Sequence, residues 1–144
     1  MTRMRAAALL LSLASLSLGA MPAKADNQLN YDLGRVTDAC RSPAILGFIT
    51  SDFGYRARNY LKMDIAIAEI HDMRQSRLEL RDETRPIQRE YCSATAIMTD
   101  GQRRGLWYLI ERGFGFAGIG SNIEFCLSGL DPWYVYGAQC ASLR

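Results

Sequence analysis

Between residues 42 and 58 the apolar positions recur at helical spacing, with Ile45, Leu46, Ile49 and Phe53 on one face. Ser42 stands where an N-cap is expected, and Pro43 takes the first helical position, where its missing N–H is not needed. The helix is expected to stop at Gly54 or to run on to about Arg58. The next segment, residues 63–80, fits two periods. Met63, Ile67, Ile70 and Met73 would share a helical face, while Ile65 and Ile67 alternate with small residues as in a strand. The clustered β-branched isoleucines, followed by an antiparallel partner, favour the strand. Pro86 disfavours helical geometry at Arg85 and breaks either element at "RDETRP".

The strongest pattern is "REYCSATAIM-TDG-QRRGLWYLIE", two alternating runs around a turn. Asp100-Gly101 is the pair that a two-residue type I′ turn prefers. Counting outward from it sets Thr99 opposite Gln102, Ala96 opposite Gly105, Ala94 opposite Trp107 and Cys92 opposite Leu109. One face then carries Cys92, Ala94, Ala96, Met98, Trp107 and Leu109, and its small alanines leave room for the helix. A further strand, "NIEFCLSGL", turns Ile123, Phe125 and Leu127 to one side. The expected class is α+β: one N-terminal helix packed on an antiparallel sheet of about four strands.

The first residues change where this domain is expected to be found. Arg3 and Arg5 precede an apolar run from Ala6 to Gly19, and Ala23 and Ala25 occupy the small positions of an A-x-A cleavage site. Residues 1–25 therefore read as a signal peptide, too short for a permanent span, and 26–144 as a single domain in the periplasm or outside the cell. From Asp26 to about Asp38 that domain is polar and loosely held. Cleavage also removes three basic residues of 17, so 14 basic and 15 acidic residues remain and the net charge becomes −1. No strong attraction to nucleic acid or anionic membrane survives. Thirteen of those 14 are Arg, which suits fixed pairing with carboxylates.

Four cysteines in an exported domain imply two disulfides, with three pairings open to Cys40, Cys92, Cys126 and Cys140. Cys40–Cys92 would tie the helix start to the hairpin, and Cys126–Cys140 would fold the tail back on its strand. With no C-x-x-C pair and a single distant His71, a zinc site is not expected.

The chemical motifs do not compose an active site. Gly113, Gly115 and Gly118 spell G-x-G-x-x-G, but a dinucleotide loop must open into a helix and return to a parallel strand. Here "NIEFCLSGL" follows directly, and only 26 residues remain after Gly118. These glycines, with Gly120, are read as bending a hairpin connection, and no cofactor is expected. Arg74, Arg77, Arg81, Arg85 and Arg89 would make a positive stripe on one helix, yet acids interleave them and Pro86 interrupts them. They read as a solvated edge that guards a strand. His71 has no Ser or free Cys near it in sequence. Aromatic residues remain: Phe114 and Phe116 among the glycines, and Trp133, Tyr134 and Tyr136 after the Asp131-Pro132 turn. They either cover the hydrophobic end of the sheet or form a partner surface, since Trp and Tyr dominate binding hot spots.

The set "REYC…DG…WYLIE…GFAG.G.NIEFC.SGLDPW…C..LR", over residues 89–144, resembles a family of small exported bacterial proteins of uncharacterised function. The resemblance implies a secreted one-domain protein with paired cysteines and carries no catalytic or ligand residue. The leading expectation is a non-enzymatic periplasmic binding or envelope-maintenance module with an envelope protein as partner. An inhibitor of a hydrolase such as a lysozyme or protease, and an enzyme whose cleft the sequence hides, stand as alternatives. Oligomeric state is left open.

Overall fold

In the computed structural model, the described residues are 39–114 and 120–144. Residues 1–25, read above as a signal peptide, and the polar segment to Asp38 lie outside them, as do Gly115, Phe116 and Gly118. A 3-10 turn, Ala39–Arg41, leads into helix α1, Pro43–Arg56. Four strands follow: β1 Ile67–Glu79, β2 Gln88–Met98, β3 Arg103–Arg112 and β4 Ser121–Leu127. They form one antiparallel sheet in the order β1-β2-β3-β4, so residues 67–79 take the strand alternative.

Pro43 opens α1 as expected, and the Leu46 amide donates to the Ser42 carbonyl at 3.0 Å, but the Ser42 hydroxyl makes no capping bond. Gly54 does not stop the helix, and the chain stays helical past it, as the second alternative held. The helix widens after Arg56 into a π-helical turn, Ala57–Leu61, closed by Lys62 in the left-handed region. Ile45, Ile49 and Phe53 are buried in one cluster with Ala96, Leu106 and Tyr108 of the sheet.

The hairpin register differs from the expected one by a single residue. Ala94 faces Leu106, Ser93 faces Trp107 and Cys92 faces Tyr108. The turn is the reason. Gly101 N–H donates to the Met98 carbonyl at 2.9 Å and Met98 N–H to the Gln102 carbonyl at 2.9 Å, enclosing three residues rather than two. Only Gly101 has positive φ, at 80°, whereas a type I′ turn needs it at Asp100 too. The Asp100 carboxylate accepts the Gln102 N–H at 2.9 Å and holds this form. A slip of one residue inverts a strand's faces. Leu106, Tyr108 and Ile110 therefore join Cys92 and Ala96 in the first cluster, and Trp107 and Leu109 turn to the other side.

That other side carries a second, smaller core. Tyr91, Leu109 and Cys126 are buried against Cys140 and Leu143 of the C-terminal tail, with Trp107 and Tyr136 packed beside them. The bridges are Cys40–Cys92 and Cys126–Cys140, the two pairs preferred on sequence grounds. The first lies in the main cluster, where the Tyr108 hydroxyl donates to the Cys40 carbonyl. The second pins the tail to β4. Each face of the sheet thus has its own disulfide and its own cluster.

Of the four glycines expected to bend a hairpin connection, Gly113 and Gly120 are described, and they stand where β3 and β4 are joined. Gly113 N–H donates to the Gly120 carbonyl at 3.0 Å, and β4 returns antiparallel beside β3. Gly120 has φ of 124°, and a Cβ there would stand 2.8 Å from the Phe114 carbonyl oxygen. A close backbone approach accounts for this glycine without any phosphate.

Candidate functional site

After Leu127 the chain turns, with the Leu130 amide donating to the Leu127 carbonyl at 3.0 Å. Asp131 then organises the tail. Its carboxylate accepts the amides of Val135 at 3.0 Å and Tyr136 at 2.9 Å, and its carbonyl accepts the Tyr134 amide at 3.2 Å. Wrapping the chain around one carboxylate forces Trp133, Tyr134 and Val135 outward, where they are 64%, 69% and 69% exposed. Tyr136 turns inward onto the second core.

Facing this tail is the end of α1 and its π-helical turn. Tyr55 and Tyr60 are both exposed and meet edge to face, with ring centroids 6.0 Å apart. Between the two segments lies a groove of about 460 Å³. Phe125, Cys126 and Leu127 of β4 form its floor, Tyr55 and Tyr60 stand on one wall, and Trp133, Val135 and Tyr136 on the other. The charged groups that line it are Asp52, Arg56 and Asp131. Arg56 Nη2 pairs with Asp52 Oδ2 at 2.7 Å, and its guanidinium carbon sits 4.8 Å from the centroid of the Phe125 ring. Burial pushes the Tyr136 phenol above its ordinary pKa, and the negative charge of Glu124 adds to the rise, while a hydrogen bond with Arg56 works the other way.

The aromatic residues singled out from the sequence separate in space. Trp133 and Tyr136 share the groove, whereas Tyr134 lines a smaller neighbouring depression with Gly129 and Pro132. Phe114 is exposed at the far end of β4, a seven-residue strand of roughly 20 Å. Phe116 lies outside the described residues. Tyr55, Tyr60 and Val135 were not anticipated. The signal for the tyrosines was negative: Tyr55 lies off the apolar face of α1 and Tyr60 in the turn beyond it, where a large aromatic has no core to fill.

The other candidates stand elsewhere. His71 is exposed on β1, the opposite sheet edge, and its Nε2 lies 2.7 Å from Glu69 Oε2. Arg74 and Arg77 share that exposed strand, where Arg77 stacks over Tyr91 at 3.7 Å. Arg81 is exposed in the following loop, Arg85 pairs there with Asp82 at 2.6 Å, and Arg89 pairs with Glu111 at 2.8 Å. The five arginines form no stripe.

One buried polar cluster sits beside the main core. Glu90, 2% exposed, accepts the Ala39 amide at 3.0 Å and pairs with Arg112 at 3.2 Å. One of its oxygens and the sulfurs of Cys40 and Cys92 lie within 4.8 Å of one another. The sulfurs are bonded together, so neither is the thiolate that ligates a metal. Among the described residues no helix is long and apolar enough to cross a membrane. No protein-family model, curated protein or solved structure matches the chain.

Proposed function

We propose that this protein is an exported, non-enzymatic binding module that holds an envelope partner in the groove between the end of α1 and the tail. The reading takes α1 to lie across the sheet face that carries Cys92 and Ala96, which brings its last turns to the β4 edge. One observation carries it: Tyr55, Tyr60, Trp133 and Val135 are all exposed around one concave surface. Scattered exposed aromatics need no explanation, but several converging on a groove match the composition and shape of a recognition site. Binding rather than catalysis is favoured by the polar groups there. Asp131 spends both carboxylate oxygens on the tail backbone, and Asp52 is paired with Arg56. A general acid or base needs a group free to exchange its proton with a substrate.

The test compares two double variants of the full-length protein after export. Tyr55→Ala with Trp133→Ala removes exposed rings, so the melting transition is expected to stay native while partners captured from envelope extract are lost. Hot-spot aromatics contribute about 2 kcal/mol or more each, whereas an exposed Arg contributes less than about 1 kcal/mol. Arg77→Ala with Arg81→Ala is therefore expected to retain the same partners. Retention by the aromatic pair, or loss by the Arg pair alone, would place the binding surface elsewhere.

A further inference from the structure

The groove has a closed floor and open walls. Phe125, Cys126 and Leu127 are each no more than 4% exposed, so they offer a ligand neither a strand edge nor much surface. What a ligand can touch is the walls, where Tyr55 is 53%, Tyr60 60% and Trp133 64% exposed. The two tyrosine rings meet at 74°, so their flat faces point in different directions. The space they enclose with Trp133, about 460 Å³, is that of a small-ligand site.

Charge narrows the occupant by what it leaves out. Each of the three charged residues in the lining is already matched. Arg56 holds Asp52 at 2.7 Å, and Asp131 gives one oxygen to the Val135 amide and the other to the Tyr136 amide. An ionic ligand would leave its water shell and find no free counter-charge, which is costly. A neutral ligand meets no such cost. The same groups can still make neutral hydrogen bonds, because a carboxylate has about four lone-pair sites and a guanidinium five N–H donors. The side chains of Arg56 and Asp52 remain 43% and 26% exposed, within reach of such bonds.

The rings add a second requirement. Tyr55, Tyr60 and Trp133 each combine an apolar, electron-rich face with a polar edge: a hydroxyl that donates and accepts, or an indole N–H that donates. Among the described residues no hydrogen bond engages these three edges. A purely apolar chain would cover the faces and strand the edges away from water. A pyranose ring meets both demands. Its axial C–H groups form an apolar face of slight positive character, complementary to the negative face of an aromatic ring, and its hydroxyls both donate and accept. Resting on the reading of the groove as the binding site, we propose that its occupant is a neutral oligosaccharide of the envelope. Sugar faces stack on Trp133 and on the Tyr55–Tyr60 pair, while sugar hydroxyls bond Asp52, Arg56 and the edges of the rings.

The test titrates the full-length exported protein with short neutral oligosaccharides of glucose, mannose and N-acetylglucosamine. Calorimetry reads affinity, and iodide quenching reads the shielding of Trp133, a signal that Trp133→Phe removes. At least one series is expected to bind, with an affinity unchanged between low and high salt. Trp133→Ala is expected to weaken that binding about thirtyfold, and Trp133→Phe, which keeps a ring face, by only a few-fold. Oxidising the primary alcohols of the bound sugar to carboxylates adds charge to the same ring and is expected to weaken binding about tenfold or more. Binding by none of the series, binding indifferent to Trp133→Ala, or tighter binding of the carboxylate form overturns the proposal. Capture from envelope extract separates this failure from failure of the groove itself. Periodate cleaves the vicinal diols of sugars, so treating the extract with it is expected to abolish capture. Capture that survives periodate but is lost by Tyr55→Ala with Trp133→Ala leaves the groove as a site for a polypeptide and overturns the sugar. Capture that survives both overturns the sugar and the groove together.

Discussion

Removing the Cys126–Cys140 bridge, by Cys126→Ala with Cys140→Ala, separates the tail's contribution from that of the rest of the fold. The bridge joins residues 14 apart, and closing a loop of that size restricts the unfolded chain by about 3 kcal/mol. Cys40–Cys92 joins residues 52 apart, for which the same relation gives about 4 kcal/mol. The Cys40–Cys92 bridge also lies in the main cluster between helix and sheet residues, so its loss opens that core. The tail is held differently. Without its bridge, its grip on the sheet reduces to buried Leu143, half-buried Tyr136 and the stacking of Arg144 on Trp107 at 4.9 Å. The expected result is a melting temperature lower by about 10–15 °C with the main transition still cooperative. Trp107 should meanwhile become accessible to iodide, because the tail that packs beside it frays first. Binding at the groove should fall with it, since Trp133, Val135 and Tyr136 lose their fixed positions. Calorimetry and iodide quenching of the two bridge variants decide the matter. Equal losses from both bridges, or a Trp107 as shielded as before, would show that the tail and the sheet unfold as one unit and that the two cores are not separable.

Three further outcomes follow from particular contacts. Gly101→Val should cost about 1–3 kcal/mol in denaturant titrations, because φ of 80° is strained for a β-branched residue although no atom stands near its Cβ, whereas Asp100→Asn should be nearly neutral. Glu90→Ala should cost about 3–5 kcal/mol, since it leaves the Ala39 amide and the Arg112 guanidinium without their buried carboxylate, and Glu90→Gln should recover part of this through the Ala39 bond. The Tyr136 phenol, held above the ordinary value of 10.0, should ionise late in a difference-absorbance titration of wild type against Tyr136→Phe. Below pH 10 the phenol is neutral in both folded and unfolded chains and contributes no slope. Above it the unfolded chain loses its proton first, so wild-type stability should fall with rising pH more steeply than that of Tyr136→Phe.

The elements were legible because periodicity is a local property. The helix face of Ile45, Ile49 and Phe53, the alternation of β2 and β3, and Ile123-Phe125-Leu127 all appear at the expected places. The register was not, for a reason confined to three residues. Thr99-Asp100-Gly101 can be closed as a two-residue turn or as a three-residue loop, and both put Gly101 at positive φ. The choice rests on whether Asp100 also adopts that conformation, and its carboxylate bonds Gln102 instead. That bond reverses the placing of Trp107 and Tyr108. The groove lay further from view. Tyr55 and Tyr60 come from the end of a helix that widens into a π-helical turn, which no spacing announced. They meet Trp133 across more than seventy residues of intervening sequence. Surface composition names the residue types suited to binding but not which of them converge.

The backbone of the tail bears on whether its exposed aromatics are incidental. Of the five non-glycine residues with positive φ among the described residues, Tyr134, Gln139 and Cys140 belong to this short segment. Each left-handed residue of this kind costs roughly 1–2 kcal/mol relative to the right-handed alternative. A segment whose sole task was to cover Tyr91 and Leu109 could do so as an extended strand or a helix with less strain. This one is held in its strained course by the Asp131 carboxylate, by the bridge at Cys140, and by Ser142, whose amide and hydroxyl both donate to the Tyr136 carbonyl at 3.1 Å. The course it is held to presents Trp133 and Val135 to the groove. Strain maintained by several independent contacts is a property of sites whose shape matters. The exposed rings are, on this argument, a consequence of that constraint: the tail is kept beside β4 in a course that turns Tyr136 inward and Trp133 and Val135 out.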